Sequence, residues 1–237
     1  MTRGWKQKMK KFTSADLKLI AMTTMFIDHV GAILIEKASL YEIGGFQLLD
    51  FILRQIGRIS FPLYCFLLVE AFFFTRDRKK YALRVLGLAF LSELQYDMAF
   101  SFGWNMGRNN VLFTLVLGFM MIWGLSKLEE KYEGKKLLVM SILPVAVTCG
   151  ISMVLHSSYT YMGILIIAFL YLLRRDNKLK CVLSALVLAR TPMASVGFLC
   201  AYHYNGEKGK MKIPGWFYQW FYPVHILFLW LVRVAFL

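Results

Sequence analysis

Negative charge, cysteine and proline are all scarce in this 237-residue chain. It has 14 Asp and Glu residues against 28 Lys and Arg, with four Cys and five Pro. Charged residues make up 18% and apolar residues 58%, against about 25% and 45–50% in soluble domains. So much apolar surface excludes a water-soluble enzyme and a disordered chain alike. Cys65, Cys149, Cys181 and Cys200 stand inside apolar runs without CxxC spacing. That pattern excludes a disulfide scaffold, offers no metal site, and leaves four small core residues. The polar loops are too short for a soluble domain. The fold expected is all-α, a polytopic transmembrane bundle forming a single domain over 1–237.

The net charge of +14 would suit a nucleic-acid partner if it formed one continuous face. It does not. The basic residues fall in blocks, Arg3–Lys18, Arg76–Arg84, Lys127–Lys136 and Arg174–Lys180, separated by apolar stretches. Such blocks mark cytoplasmic loops, so the expected partner is the lipid bilayer and not nucleic acid. A span takes about 20 apolar residues. Eight stretches qualify: 15–36, 48–75, 82–102, 110–126, 137–155, 159–173, 179–204 and 216–236. The basic start resembles a signal peptide, but no small-residue cleavage site follows, and Asp28 and His29 interrupt the apolar run. A retained first span with a cytoplasmic N-terminus is expected. The loops then placed outside, near 37–47, 103–109 and 156–158, carry only Lys37 and Arg108. The location is the cytoplasmic membrane, crossed several times.

The region 179–215 fits less simply. One span there would put Lys208, Lys210 and Lys212 outside, and Arg190-Thr191-Pro192 breaks the run. Nine spans, or a re-entrant hairpin over 179–204, are alternatives to eight.

Ionisable groups inside a membrane are costly and so mark candidate functional positions. Here they are Asp28 and His29 in the first span, Arg54, Arg58 and Glu70 in the second, Glu93 and Asp97 in the third, Arg190 in the seventh and His225 in the last. Arg54 and Arg58 share a helical face, as do Glu93 and Asp97. The two pairs would neutralise each other across neighbouring helices, a structural role that competes with a functional one. An imidazole can take a proton from an attacking group and return it to a leaving thiolate, which draws attention to His29 and His225.

Several motifs, in order, carry a family likeness. They are Met25-Phe26-Ile27-Asp28-His29-Val30-Gly31, Ile56-Gly57-Arg58-Ile59-Ser60-Phe61-Pro62 with Glu70, Ser92-Glu93-Leu94-Gln95-Tyr96-Asp97-Met98-Ala99, Asn110-Val111-Leu112-Phe113-Thr114-Leu115, Tyr204-Asn205-Gly206-Glu207-Lys208-Gly209 and Phe221-Tyr222-Pro223-Val224-His225. The chain resembles the TraX family of integral membrane proteins, whose conjugation-system member is the pilin N-acetylase, and is distantly similar to membrane acyltransferase family 3. One departure stands out: Ser158-Tyr159-Thr160 occupies the place of an expected Asp-Tyr-Gly.

The resemblance implies acetyl transfer from cytoplasmic acetyl-CoA, a co-substrate, to an amine or hydroxyl acceptor whose identity is unknown: a pilin-like peptide, a sugar or another envelope component. It makes His29 the catalytic histidine, as base or acetyl carrier, and Arg58 the nearby cation. Asp28 is then expected to tune His29. The substrate-binding candidates are Glu70, Glu93, Asp97, Asn110, Tyr222 and His225, with Asn110 and Tyr222 as donors to the thioester oxygen. Asn205, Lys208 and Arg54 are the candidates for holding the nucleotide phosphates. A small proton-coupled transporter would use the same buried charges and is the competing reading.

Overall fold

The computed structural model describes residues 11–100, 107–210 and 213–236, with the backbone alone at 39. Arg3–Lys10 of the first basic block, 103–106 of an expected outer loop, and Lys212 lie outside the described residues. Helix dominates, and the only β pairings among the described residues are single bridges, Phe12 with Tyr204 and Asn109 with Ser157. In hydrocarbon every backbone group needs an internal partner, which a helix supplies within one segment.

Helix α1 (Ser14–Val30) opens on a capping box in which Thr13 and Asp16 satisfy each other's backbone N–H groups. It continues through a π turn, Gly31–Glu36, and a short 3₁₀ turn follows at Ser39–Glu42. Next come α2 (Phe46–Gly57), α3 (Ser60–Phe74), α4 (Arg78–Phe100), α5 (Val111–Glu129), α6 (Gly134–Val154), α7 (Thr160–Leu172), α8 (Asn177–Val187), α9 (Ala194–Tyr202) and α10 (Gly215–Phe236).

The described part of each predicted apolar stretch is mostly helical, but not every stretch gives a helix of full span length. Five helical segments are long and apolar enough to cross a membrane: Ser14–Glu36, Phe46–Phe74, Val111–Glu129, Gly134–Val154 and Gly215–Phe236. Helix α7 is apolar but has 13 residues, and α4 is long but carries Arg84, Glu93 and Asp97. The 179–204 stretch is divided into α8 and α9, of 11 and 9 residues, by a turn around Pro192. At 1.5 Å per residue each covers only about half of a 30 Å hydrocarbon core.

The chain forms two compact units. One comprises Met1–Leu67, Leu94–Trp104 and Leu188–Leu237, and the other Leu68–Glu93 with Asn105–Val187. In the first, α1 and its π turn pack on α2 and on α10. In the second, α5, α6 and α7 pack on one another and α8 on α7.

The glycine-rich loop after α9 has a structural task in the first unit. Ser14 N–H donates to Glu207 O at 2.9 Å and Ala15 N–H to Lys208 O at 3.0 Å, while Asn205 N–H donates to Phe12 O at 2.9 Å. The loop thus serves the first N–H groups of α1, which lack intrahelical acceptors. Gly209 has φ +70° and lies so close to Thr13 that any Cβ there would overlap it. Lys208 and Lys210 therefore sit beside the start of α1.

Candidate functional site

Two histidines meet at the centre of the first unit. His29, on the last turn of α1, is 9% exposed and His225, on α10, is 4% exposed. Their Nδ1 and Nε2 atoms are 2.6 Å apart. The ring planes differ by 8° and the centroids are 4.9 Å apart. One ring radius added at each end of the N···N contact accounts for that separation, so the rings lie end to end in nearly one plane. On its other side His225 directs Nδ1 at the carbonyl oxygen of Phe221, one turn back. Tyr222 and Phe100 present edges to His29 at 6.1 and 5.6 Å, and Phe221 lies 4.6 Å from the His225 ring. The rings confine the pair, while no described residue other than His225 hydrogen-bonds to His29.

Asp28 adjoins His29 in sequence but serves a different partner. Successive helical residues point about 100° apart, and the Asp28 carboxylate forms an ion pair with Arg54 Nη1 at 2.7 Å. Arg54 Nε also lies 3.7 Å from Glu36. The expected tuning of His29 by Asp28 is thus replaced by contact with a second imidazole. Gly57 is what lets the ion pair form, because a Cβ there would occupy the space of the Asp28 side chain. Arg58, the C-cap of α2, is half-buried, and no described residue hydrogen-bonds or ion-pairs with its guanidinium. It is close enough to Asp28 to act on it electrostatically.

The other candidates disperse. Asp97 is buried on α4 within the first unit. Glu93 is engaged by Asn110. It accepts from Asn110 N–H at 3.0 Å and from Asn110 Nδ2 at 2.5 Å, and Nδ2 also donates to Ala89 O at 2.8 Å. Asn110 Oδ1 accepts from Leu112 N–H at 2.9 Å. Asn110 is fully buried, caps α5, and has both amide hydrogens committed, so no donor is left for a substrate oxygen. Glu70 is half-buried on α3. Asn205 accepts from Glu207 N–H at 2.8 Å in an Asx turn, and its amide meets the Glu207 carboxylate at 3.2 Å. Among the three residues expected at the phosphates, Arg54 and Asn205 therefore have partners of their own, and the Lys208 side chain is exposed.

Sequence reasoning overlooked two buried groups in the first unit. Asp50 lies one turn before Arg54 on the same face of α2. Arg233 lies two turns after His225 on α10 and donates to Ala99 O at 2.7 Å and Met98 O at 3.1 Å, closing the end of α4. Their spacings, Asp50-Arg54-Arg58 and His225-Leu229-Arg233, were the available signals.

The departure at 158–160 also has a local reading in the second unit. Ser158 Oγ donates to Asn109 O at 2.8 Å, and Thr160 sits at φ +41°. The backbone there holds a left-handed turn that favours glycine, and a β-branched residue fills it at a cost.

The family model for TraX protein matches residues 13–233, nearly the whole chain and every residue of the histidine site. The chain belongs to the TraX family. A probable fimbrial assembly protein, FimC of serogroup H1 from Dichelobacter nodosus, is 29% identical over 239 residues, covering 92% of this chain and 94% of its own length. No solved structure matches the chain. The TraX motifs around Asp28-His29, Gly57-Arg58 and Tyr222-His225 are the segments that build the histidine pair and the ion pair beside it.

Proposed function

We propose that this TraX protein is an acetyltransferase of the cytoplasmic membrane. It moves an acetyl group from acetyl-CoA, supplied at the cytoplasmic face, to an amine or hydroxyl of an envelope component. The observation that carries the reading is the coplanar His29–His225 pair buried among membrane-spanning helices. Such a pair joins two helices by a hydrogen bond and also suits a group that must exchange a proton. His29 removes the proton from the acceptor as its nitrogen or oxygen attacks the thioester carbonyl. Arg58, whose guanidinium hydrogen-bonds to no described residue, receives the developing oxyanion or a CoA phosphate in this reading. Lys208 and the basic loops raise the local concentration of polyanionic CoA. The relative's name, a fimbrial assembly protein, favours a pilus subunit as the acceptor.

The test is transfer of labelled acetyl from acetyl-CoA by the purified protein in detergent. His29→Ala should reduce turnover by about 10²–10⁴-fold with helicity unchanged, and Arg58→Ala should weaken turnover less severely. Absence of turnover in the wild type, together with no thermal stabilisation by millimolar CoA, would overturn the reading.

A further inference from the structure

The four ring nitrogens of His29 and His225 are not equivalent. His225 Nδ1 faces the Phe221 carbonyl, and a carbonyl oxygen only accepts, so this nitrogen carries a hydrogen. A neutral imidazole has a single N–H, which leaves His225 Nε2 as an acceptor. The atom facing it at 2.6 Å is His29 Nδ1, which must then be the donor. Nε2 of His29 is left with a bare lone pair, and no described residue hydrogen-bonds to it. The end-to-end arrangement of the rings is what an in-line N–H···N bond needs.

We infer that His225 is the positioning residue that holds His29 in its Nδ1–H tautomer and makes Nε2 the atom that takes the proton. The inference rests on the acetyl-transfer reading for its purpose, though not for its geometry. The hydrogen bonds run in one direction, from His29 Nδ1–H to His225 Nε2 and from His225 Nδ1–H to Phe221 O. In the transfer step the acceptor's N–H or O–H bond breaks and the proton goes to His29 Nε2. The freed electron pair forms the bond to the thioester carbon. On collapse the C–S bond breaks, and the leaving thiolate takes the proton back from Nε2. While His29 is an imidazolium, its Nδ1–H bond to His225 becomes charge-assisted and stronger. A carboxylate in the place of His225 would also orient His29, but it would add a net charge at membrane depth. A neutral imidazole orients without one. The nearby carboxylate, Asp28, is held by Arg54 instead.

Nuclear magnetic resonance of the full chain with ¹⁵N-labelled histidine tests this directly. The chain has four histidines, so single substitutions assign each signal. Neutral His29 should show the Nδ1–H tautomer in the wild type. In His225→Leu that preference should be lost and kcat should fall about 100-fold or more with KM little changed, as when a histidine loses its orienting partner. His225→Gln, whose amide oxygen can accept the Nδ1–H bond, should retain the tautomer and recover much of kcat. An Nε2–H tautomer for His29 in the wild type would overturn the inference, as would an unchanged tautomer in His225→Leu. The wild-type spectrum answers even if the leucine variant fails to fold. Wild-type protein with the expected tautomer but without acetyl transfer would overturn only the functional reading.

Discussion

The polar clusters of the two units differ in how completely their members engage one another. In the second, the clusters around Asn110 and Glu129 close on themselves. Asn110 is held by Glu93 and Ala89, and Arg174 makes two contacts with Glu129, at 2.7 and 3.1 Å, while Tyr171 donates to the same carboxylate at 2.8 Å. In the first, two side chains are left with nitrogens to which no described residue hydrogen-bonds. His29 keeps an unengaged nitrogen, and Arg58 keeps a guanidinium with no described hydrogen bond. A closed network fixes helices against one another, whereas an open one leaves atoms for a reactant. Burial alone does not make a polar group available to a reactant; an atom with unused hydrogen-bonding capacity is what a reactant can meet.

Substitutions can break that contrast or sharpen it. Arg54→Met should have the largest effect on stability, about 3 kcal/mol, because it leaves the Asp28 carboxylate mostly buried without its cation. The double variant Asp28→Leu/Arg54→Met should regain most of the loss in a detergent melt. If it does not, the two side chains are not acting as a pair. Gly57→Ala should cost about 1–3 kcal/mol by forcing a Cβ into Asp28, and a wild-type melting curve would refute that contact. Asn110→Ala in the closed network should cost about 1–2 kcal/mol through the lost cap. Its acetyl transfer per folded molecule should stay near wild type, and a large fall in kcat would erase the distinction between the units. The smallest effect should be a gain: Thr160→Gly relieves a left-handed backbone at φ +41° and should raise stability by about 1 kcal/mol. A loss of stability there would mean that Thr160 makes a contact worth more than the strain.

The helical class was legible from composition, because a bilayer leaves a chain this apolar few alternatives. The candidate histidines were legible too, since an ionisable group in an apolar run is conspicuous. Their partnership was not, because 196 residues separate His29 from His225. Helical periodicity tells which residues share a face but not which helix that face meets. This is why Arg54 and Arg58 were matched with Glu93 and Asp97, whereas Arg54 reaches Asp28 and Glu36 and Glu93 reaches Asn110. Counting spans meets a related difficulty. Summed hydropathy makes 179–204 one stretch, and the Arg190-Thr191-Pro192 break was the signal of its division into two short helices.

The contact between residues 203–209 and the start of α1 bears on how the protein is made. Helix α1 begins with N–H groups whose acceptors, Glu207 O and Lys208 O, are synthesised almost two hundred residues later. Until then water or the insertion machinery must satisfy them. A product terminated before residue 203 lacks those acceptors altogether, so the start of α1 is completed only by sequence from near the other end of the chain.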